Sequence, residues 1–482
     1  MISLLSAAMP HPVRNSHPPE SCIVDFDRLA RKVEQDYAGF QLEIHGARRE
    51  AYDRERARLR LIAAATRSDA CYFVFRDLIA FFQDPHLFIF QSTRVTAAET
   101  ARRARVAGRM PLTESQARAY FVKNSGRLDP LEGLWYDRGL RVAVVPAPEH
   151  RNGELVAVVL TTDTSTWLPG TIRARFTPRK DGGYSGVVYE RNYAVRYVDA
   201  RIHKRVLLRL SPGMWGKEFP VTTADSGYLA PEDARRPTLV ARTGTLVVSI
   251  PSHDPAFRPW LDSLVAANRA VLAATPRLIV DLRGNEGGSS STARSLVPFV
   301  ASDSERPPPL PEGEPMLLSS ADEIGYVRRH FAGGGVPTAS VRRLLARLAA
   351  NPGQLVPLRD SLDSREAPRR RPVVAGARRV GFLVDGGTVS AGEAFLVQAM
   401  RSTRVTVFGL PTAGALDYQT AYIVPFQLHD RRWFLGYPTI TARPDLPRDG
   451  IRGTGLKPEV RLELDSEPDP IGRVERMLSA GH

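Results

Sequence analysis

Between Ser21 and Ala104 apolar residues recur at helical spacing: Phe26, Leu29, Val33, Tyr37 and Phe40, then Leu59, Ile62 and Ala63, then the run from Cys71 to Phe82. A stripe returning every three to four residues predicts helices that each bury one face. Asp25 and Ser68 sit where N-caps belong. The pattern predicts a small helical domain closing at Asp84-Pro85-His86, with a basic helix from Thr96 to Val106 leading out of it. From Leu131 to Leu210 the rhythm changes to short runs of β type: Arg141 to Val145, Leu155 to Thr161, Thr171 to Phe176, Gly186 to Glu190, Tyr193 to Asp199 and Arg205 to Leu210. Successive strands with short connections predict an antiparallel sheet or small barrel, opening at Glu132-Gly133-Leu134-Trp135. Whether it binds a ligand or is a packed accessory domain is open at this level.

From about Pro237 strands and helices alternate. Thr245 to Ile250, a helix over Pro259 to Thr275, and Arg277 to Leu282 make one βαβ unit; Val380 to Val384, a helix over Ala391 to Ser402, and Val405 to Phe408 make another, followed by β-type segments through Ile440. Such alternation predicts a parallel sheet. Between them, Ser302 to Ala375 reads as an insertion and candidate lid, with the Pro-rich Arg306-Pro307-Pro308-Pro309 and a helix over Thr338 to Ala350. The expected domains are 1–20 (leader remnant or disordered), 21–105 (helical), 106–236 (β accessory), 237–301 and 376–482 (the two parts of an α/β core) and 302–375 (insertion). A chain of 482 residues is too long for one ordinary core.

Hydrophobic content of 43% and aromatic content of 8% are those of a soluble globular protein. No apolar run approaches the ~18–20 residues that cross a bilayer. The net charge is +14, and nearly all of the basic residues are Arg, since Lys occurs only at Lys32, Lys123, Lys180, Lys204, Lys217 and Lys457. No nucleic-acid-binding motif interleaves this charge with aromatics, so no nucleic-acid partner is expected. The dense cluster Arg365 to Arg379, with Arg369-Arg370-Arg371, reads as a solvated loop. Cys22 and Cys71 are too few for a disulfide framework and lack metal spacing. A bridge tying the N-terminal segment to a helix and unpaired burial both stay open. Met1 to Met9 is mildly apolar without a basic n-region, which makes a poor secretory signal.

Two short segments carry chemistry: Leu278-Ile279-Val280-Asp281-Leu282-Arg283-Gly284-Asn285-Glu286-Gly287-Gly288, and Gly386-Gly387-Thr388-Val389-Ser390-Ala391-Gly392-Glu393. Each follows or contains a strand-length apolar run that breaks at glycines and opens into a helix-like stretch. One supplies a serine and the other bare backbone N–H groups, the combination that acyl transfer requires. Ser390, at the mouth of a helix whose N-terminus favours negative charge, is the candidate nucleophile, with the Ala391 N–H facing the same space. The structural alternative makes Ser390 an N-cap, with Glu393 completing a capping box. Gly287 and Gly288 are candidate oxyanion donors, since glycine lets backbone approach a substrate closely; a tight turn alone would also explain them.

Asp-Leu-Arg-Gly-Asn-x-Gly-Gly followed by Thr-x-Ser-Ala-x-Glu resembles the C-terminal processing (tail-specific) proteases, serine peptidases that share a crotonase-like α/β core with the tricorn core protease. The resemblance runs on through Gly409-Leu410-Pro411-Thr412-Ala413-Gly414 to Gly455-Leu456-Lys457-Pro458-Glu459, and reappears at Gln83-Asp84-Pro85-His86. It implies an α/β fold with a crotonase-like core, an N-terminal helical domain and an inserted antiparallel β domain. The family commonly places a PDZ module in that inserted position, but its Gly-Leu-Gly-type loop is absent here. Where the processing proteases carry a lysine base, this chain has Thr412-Ala413-Gly414-Ala415-Leu416, and Ala415 takes no proton. The branch similar to the tricorn core uses a histidine, and His86 matches it; an imidazole suits proton shuttling near neutral pH. His253, in Ser252-His253-Asp254, is the second choice. Relatives of the histidine type carry a glutamate shortly before the final turn, where this chain has Arg452, leaving Asp417, Asp449 and Glu393 as candidates for the acid that orients the base. Gln419 matches a position that assists the absent lysine.

The expected function is therefore a serine endopeptidase working through an acyl-enzyme on Ser390 with His86 as general base, needing no metal or cofactor. The alternatives are a peptide-binding protein of the same fold that has lost turnover, or an esterase-type acyl hydrolase. The partner would be a peptide or protein substrate, with no membrane span. Oligomeric state is not legible, and the resemblance implies a periplasmic or extracellular location.

Overall fold

A computed structural model of the chain describes residues 22–66, 71–91, 96–148, 153–163, 167–210, 213–222, 233–301, 305–311, 313–331, 338–358, 377–426, 433–441, 443, 445–446 and 448–480. Ser68 and most of the cluster Arg365 to Arg379 lie outside the described residues. The described chain forms two compact units, one within 90–222 and 233–234, the other within 22–89 and 235–480.

The N-terminal helices α1 (Cys22–Asp36), α2 (Ala38–Glu43), α3 (Gly46–Ala65) and α4 (Cys71–Ala80) belong to the second unit. Helix α1 buries Cys22, Phe26, Leu29, Ala30 and Val33, the stripe that the spacing predicts. Asp25 is not an N-cap: the helix already begins at Cys22, and Asp25 lies in its first turn. Cys22 and Cys71 form a disulfide that ties α1 to α4. Phe82, wholly buried, meets the rings of Tyr37, Phe40, Tyr52 and Phe81 at centroid distances of 5.4–6.3 Å. This aromatic cluster anchors the chain just before the turn Gln83-Asp84-Pro85-His86, which leads to β1 (Phe88–Gln91).

The first unit begins with α5 (Ala97–Arg105), capped by the Thr96 hydroxyl, and α6 (Glu114–Lys123), which opens on a Thr113/Gln116 capping box. Eight strands follow: β2 (Gly133–Asp137), β3 (Leu140–Pro146), β4 (Leu155–Thr162), β5 (Ile172–Pro178), β6 (Tyr184–Tyr189), β7 (Val195–His203), β8 (Leu207–Leu210) and β9 (Met214–Phe219). They pair in sequence, antiparallel, and β9 returns to β2, closing a barrel. Of the two expected solutions, an antiparallel sheet or a small barrel, the closed barrel is the one adopted, and closure removes the unpaired edges that a sheet would leave. Trp135, Trp215, Phe176 and Val142 fill its interior.

In the second unit β10 (Thr238–Arg242) runs antiparallel to β11 (Thr245–Ser249). The chain then passes through α7 (Arg258–Ala267) and α8 (Arg269–Ala274) to β12 (Arg277–Asp281) and α9 (Val297–Val300). One helix was expected over Pro259 to Thr275; it breaks at Asn268, whose side chain turns back to the Leu264 carbonyl. Next come β13 (Met316–Leu318), α10 (Ala321–Phe331), α11 (Ala339–Ala350) and β14 (Leu355–Pro357). The final segment holds β15 (Arg379–Val384), α12 (Ala391–Met400), β16 (Val405–Gly409), β17 (Tyr418–Phe426), β18 (Trp433–Thr441), β19 (Val460–Arg461) and α13 (Pro470–Ala480). A six-stranded sheet runs β10-β11-β12-β15-β16-β19, parallel at every pairing except β10 with β11. Alternate residues of its strands face two cores. Leu246, Val248, Leu278, Val280, Phe382 and Val384 pack with Phe395 and Leu396 of α12, while Val247, Ile279, Leu383 and Phe408 pack with Ile471, Val474 and Leu478 of α13. Strand β13 pairs with both β14 and β18, so these parts of the insertion extend a second sheet. The whole is a mixed α/β protein, and no described helix is long and apolar enough to cross a membrane.

The Cys22–Cys71 bridge spans 49 residues of sequence, and on the chain-entropy model a loop of that size stabilises the folded state by about 4 kcal/mol. Urea denaturation of a Cys22→Ser/Cys71→Ser variant is expected to show a loss of that order; a change under 1 kcal/mol would contradict it.

Candidate active site

Strands β11, β12 and β15 are parallel and in register, Ser249 opposite Asp281 and Asp281 opposite Leu383, so their C-terminal ends release three loops at one edge of the sheet. Ligand sites of parallel sheets form at such edges. The two motif segments lie here side by side. The Asp385 carboxylate accepts the N–H groups of Gly284 (2.8 Å) and Gly387 (2.9 Å), one from each turn. The Thr388 hydroxyl donates to the Leu282 carbonyl, and the Val389 N–H to the Asn285 carbonyl. Asn285 reaches the third loop through the Ile250 carbonyl, and Arg283 folds back on buried Asp281. Most of the motif's polar residues are therefore occupied in lacing the turns together.

Ser390 stands at the sharp bend from β15 into α12, with φ 55° and ψ −113°, backbone that a side-chain-bearing residue rarely adopts. Strain of this kind persists only where surrounding bonds over-determine it. Buried Glu393 supplies them, accepting the N–H groups of Ser390 (2.9 Å), Gly414 (2.7 Å) and Ala415 (2.8 Å) and the Thr412 hydroxyl. Burial pushes its carboxyl above the usual range, against those hydrogen bonds. Glu393 thus makes the reach of a capping box while holding the serine's backbone.

His86 is half-buried, and its imidazole meets a different group at each nitrogen: Nε2 lies 2.7 Å from Ser390 Oγ and Nδ1 2.9 Å from the Tyr418 carbonyl oxygen. A carbonyl only accepts, so Nδ1 carries the proton and Nε2 is free to take one from the serine hydroxyl. The backbone is held as firmly. Asp84 Oδ1 accepts the His86 N–H (2.8 Å) and Oδ2 the Tyr37 hydroxyl (2.8 Å), while burial raises the Asp84 carboxyl above its ordinary value.

Gly287 has φ +78°, and a Cβ there would come within 2.9 Å of Ser390 Cβ and 3.5 Å of the Ala391 nitrogen. Its own N–H is engaged by Asn285 Oδ1 (2.9 Å), so it makes room instead of donating. The N–H groups of Gly288 and Ala391 donate to no other described residue. None of the three candidate orienting acids is bonded to the imidazole. The Asp417 carboxylate accepts the Ile451 and Arg452 N–H groups, Asp449 sits in the 445–449 turn, and Glu393 is engaged as above. Gln419 is exposed and Ala415 buried. The partner at Nδ1 is a backbone carbonyl, which no sequence motif advertises.

His253 is wholly buried beneath the glycine turn and does not meet the serine. Its N–H donates to the Gly287 carbonyl, its carbonyl accepts from Ser289, and Nδ1 lies 3.1 Å from Asn285 Oδ1. Burial pushes it down to about 4 from an ordinary 6.5. The unfolded chain then binds the extra proton between those values, so the contribution of His253 is present above pH 6.5 and is lost as pH falls toward 4, amounting to about 2 kcal/mol at pH 5. Urea denaturation at pH 7.5 and pH 5 is expected to show an acid-induced loss smaller by that amount in His253→Gln; equal losses would contradict it.

No curated protein matches the chain in sequence. Among solved structures, that of mature CPAF complexed with lactacystin is similar at 13% identity, covering 96% of this chain and 99% of that one, with a TM-score of 0.46. The photosystem II D1 C-terminal processing protease is similar at 14% identity, 96% and 98% coverage and a TM-score of 0.34. The tricorn protease is similar at 10% identity, over 95% of this chain and 37% of that one, with a TM-score of 0.39. The family model described as Peptidase family S41 matches residues 330–462, the stretch that holds Ser390, Glu393 and Tyr418. On that match residues 330–462 are similar to peptidase family S41.

Proposed function

We propose that the protein is a serine endopeptidase that cuts peptide bonds through an acyl-enzyme on Ser390, with His86 as general base and the six-stranded sheet as a crotonase-like core. The observation that carries this reading is the 2.7 Å approach of Ser390 Oγ to an imidazole nitrogen left unprotonated by the Tyr418 carbonyl at the other. In acylation Oγ attacks the peptide carbonyl carbon as its proton passes to His86 Nε2. The N–H groups of Gly288 and Ala391 face the developing oxyanion, and each donor of this kind is worth about 3 kcal/mol of barrier. The C–N bond then breaks, and Nε2 delivers its proton to the leaving amine. Water attacks the ester by the same route in reverse, giving its proton to Nε2, and Ser390 recovers a proton as the new carboxyl group leaves.

The histidine-using branch of the family is the reading that His86 supports. The substrate is an extended peptide laid along a sheet edge, where main-chain pairing supplies affinity. The Cys22–Cys71 disulfide favours an oxidising compartment, such as the periplasm or the exterior.

Ser390→Ala and His86→Ala are each expected to lower casein hydrolysis by roughly 10⁴- to 10⁶-fold; Ser390→Ala abolishes labelling by a serine-directed fluorophosphonate and His86→Ala slows it to a small residual rate, while thermal midpoints stay near that of the parent. Full labelling of His86→Ala would refute the base, and turnover of simple esters without proteolysis would favour an esterase.

A further inference from the structure

Outside the reacting pair, the second unit buries a group of charged and hydroxyl side chains that the mechanism above does not use. Glu43, the last residue of α2, has a side chain only 1% exposed, and Arg452 only 7%. Both terminal guanidinium nitrogens of Arg452 point at it: Nη1 lies 2.8 Å from Oε1, and Nη2 contacts Oε2. Arg48 adds a longer contact to Oε2 at 3.3 Å. Oε1 also accepts the hydroxyl of Tyr418. Tyr418 is buried and is the residue whose carbonyl receives the His86 Nδ1–H. One residue is therefore held at its hydroxyl end by an acid and presents its backbone end to the imidazole.

The same cluster closes on itself. Asp417 accepts the N–H of Ile451 (2.8 Å) and of Arg452 (2.9 Å), clamping 417–418 against 451–452. The Tyr37 ring packs edge-on against Tyr418 at 5.6 Å, and its hydroxyl bonds Asp84, which holds the His86 backbone. A buried ion pair adds little net stability compared with apolar residues of the same size. What it does supply is a fixed direction, here for a carbonyl that no side-chain acid assists.

Resting on the reading of His86 as base, we propose that Glu43, paired with Arg452, is a positioning residue that orients the imidazole through Tyr418. The long path from α2 to the serine thus takes the place of a directly bonded carboxylate.

Two variants test this without leaving a lone buried charge: Tyr418→Phe, which keeps the carbonyl and removes the hydroxyl, and Glu43→Gln/Arg452→Gln, which neutralises both partners. Each is made in the parent and in a His86→Ala background, and the second-order rate of fluorophosphonate labelling and steady-state ester hydrolysis are measured per folded molecule. In the parent background kcat is expected to fall by about 10-fold or more with KM within twofold, the cost of misplacing a catalytic group. In the His86→Ala background the same changes are expected to leave the residual rate within twofold, because residues acting through one group are not additive. Equal losses in both backgrounds would assign the cluster to folding alone and overturn the inference, as would unchanged kcat in the parent while His86→Ala is inactive. Full activity of His86→Ala itself would overturn the base and this inference together.

Discussion

The chemistry of this site turns on one hydrogen bond that does not involve the serine. The Tyr418 carbonyl, 2.9 Å from His86 Nδ1, accepts and cannot donate, so it selects the imidazole tautomer whose lone pair faces Ser390 Oγ. In Ser-His-Asp sites a carboxylate does this and also stabilises the imidazolium. A carbonyl offers the same direction with a partial charge, and its own position must then come from the backbone around it. That requirement gives meaning to the buried surroundings of 417–418: the Asp417 clamp, the Glu43–Arg452 pair and the packing of Tyr37.

A second constraint is the bend at Ser390. Its positive φ is kept by Glu393, which gathers four donors around the start of α12, and by Gly287, whose missing Cβ leaves room beside the serine. Asp385, Thr388 and Asn285 lace this bend to the neighbouring glycine turn. Register between β12 and β15 brings the turns to the same edge, and the lacing holds the glycine turn against the start of α12, with Gly287 beside Ser390.

Arg452 illustrates how an apparent loss is accommodated. The resemblance puts an orienting acid at this position, and an arginine there would repel a protonated imidazole if it pointed the same way. Its guanidinium instead turns to Glu43 on α2, so the charge is neutralised within the cluster, while its backbone N–H serves Asp417. The acid that completes the arrangement comes from a helix 409 residues away in sequence, beyond the reach of any local pattern.

The two motif segments were legible because each is a strand, a turn and a helix start in consecutive residues, and glycine and serine have specific backbone and hydroxyl uses there. Hydrophobic periodicity likewise determined the helices, the β run and the parallel strands, since one buried face imposes its own spacing. Folding alone decided which donors stay unengaged, that His253 lies sealed under the turn, that Cys22 and Cys71 pair, and that a carbonyl faces His86. These depend on backbone atoms common to every residue and on contacts between distant segments, and composition and spacing carry no record of either.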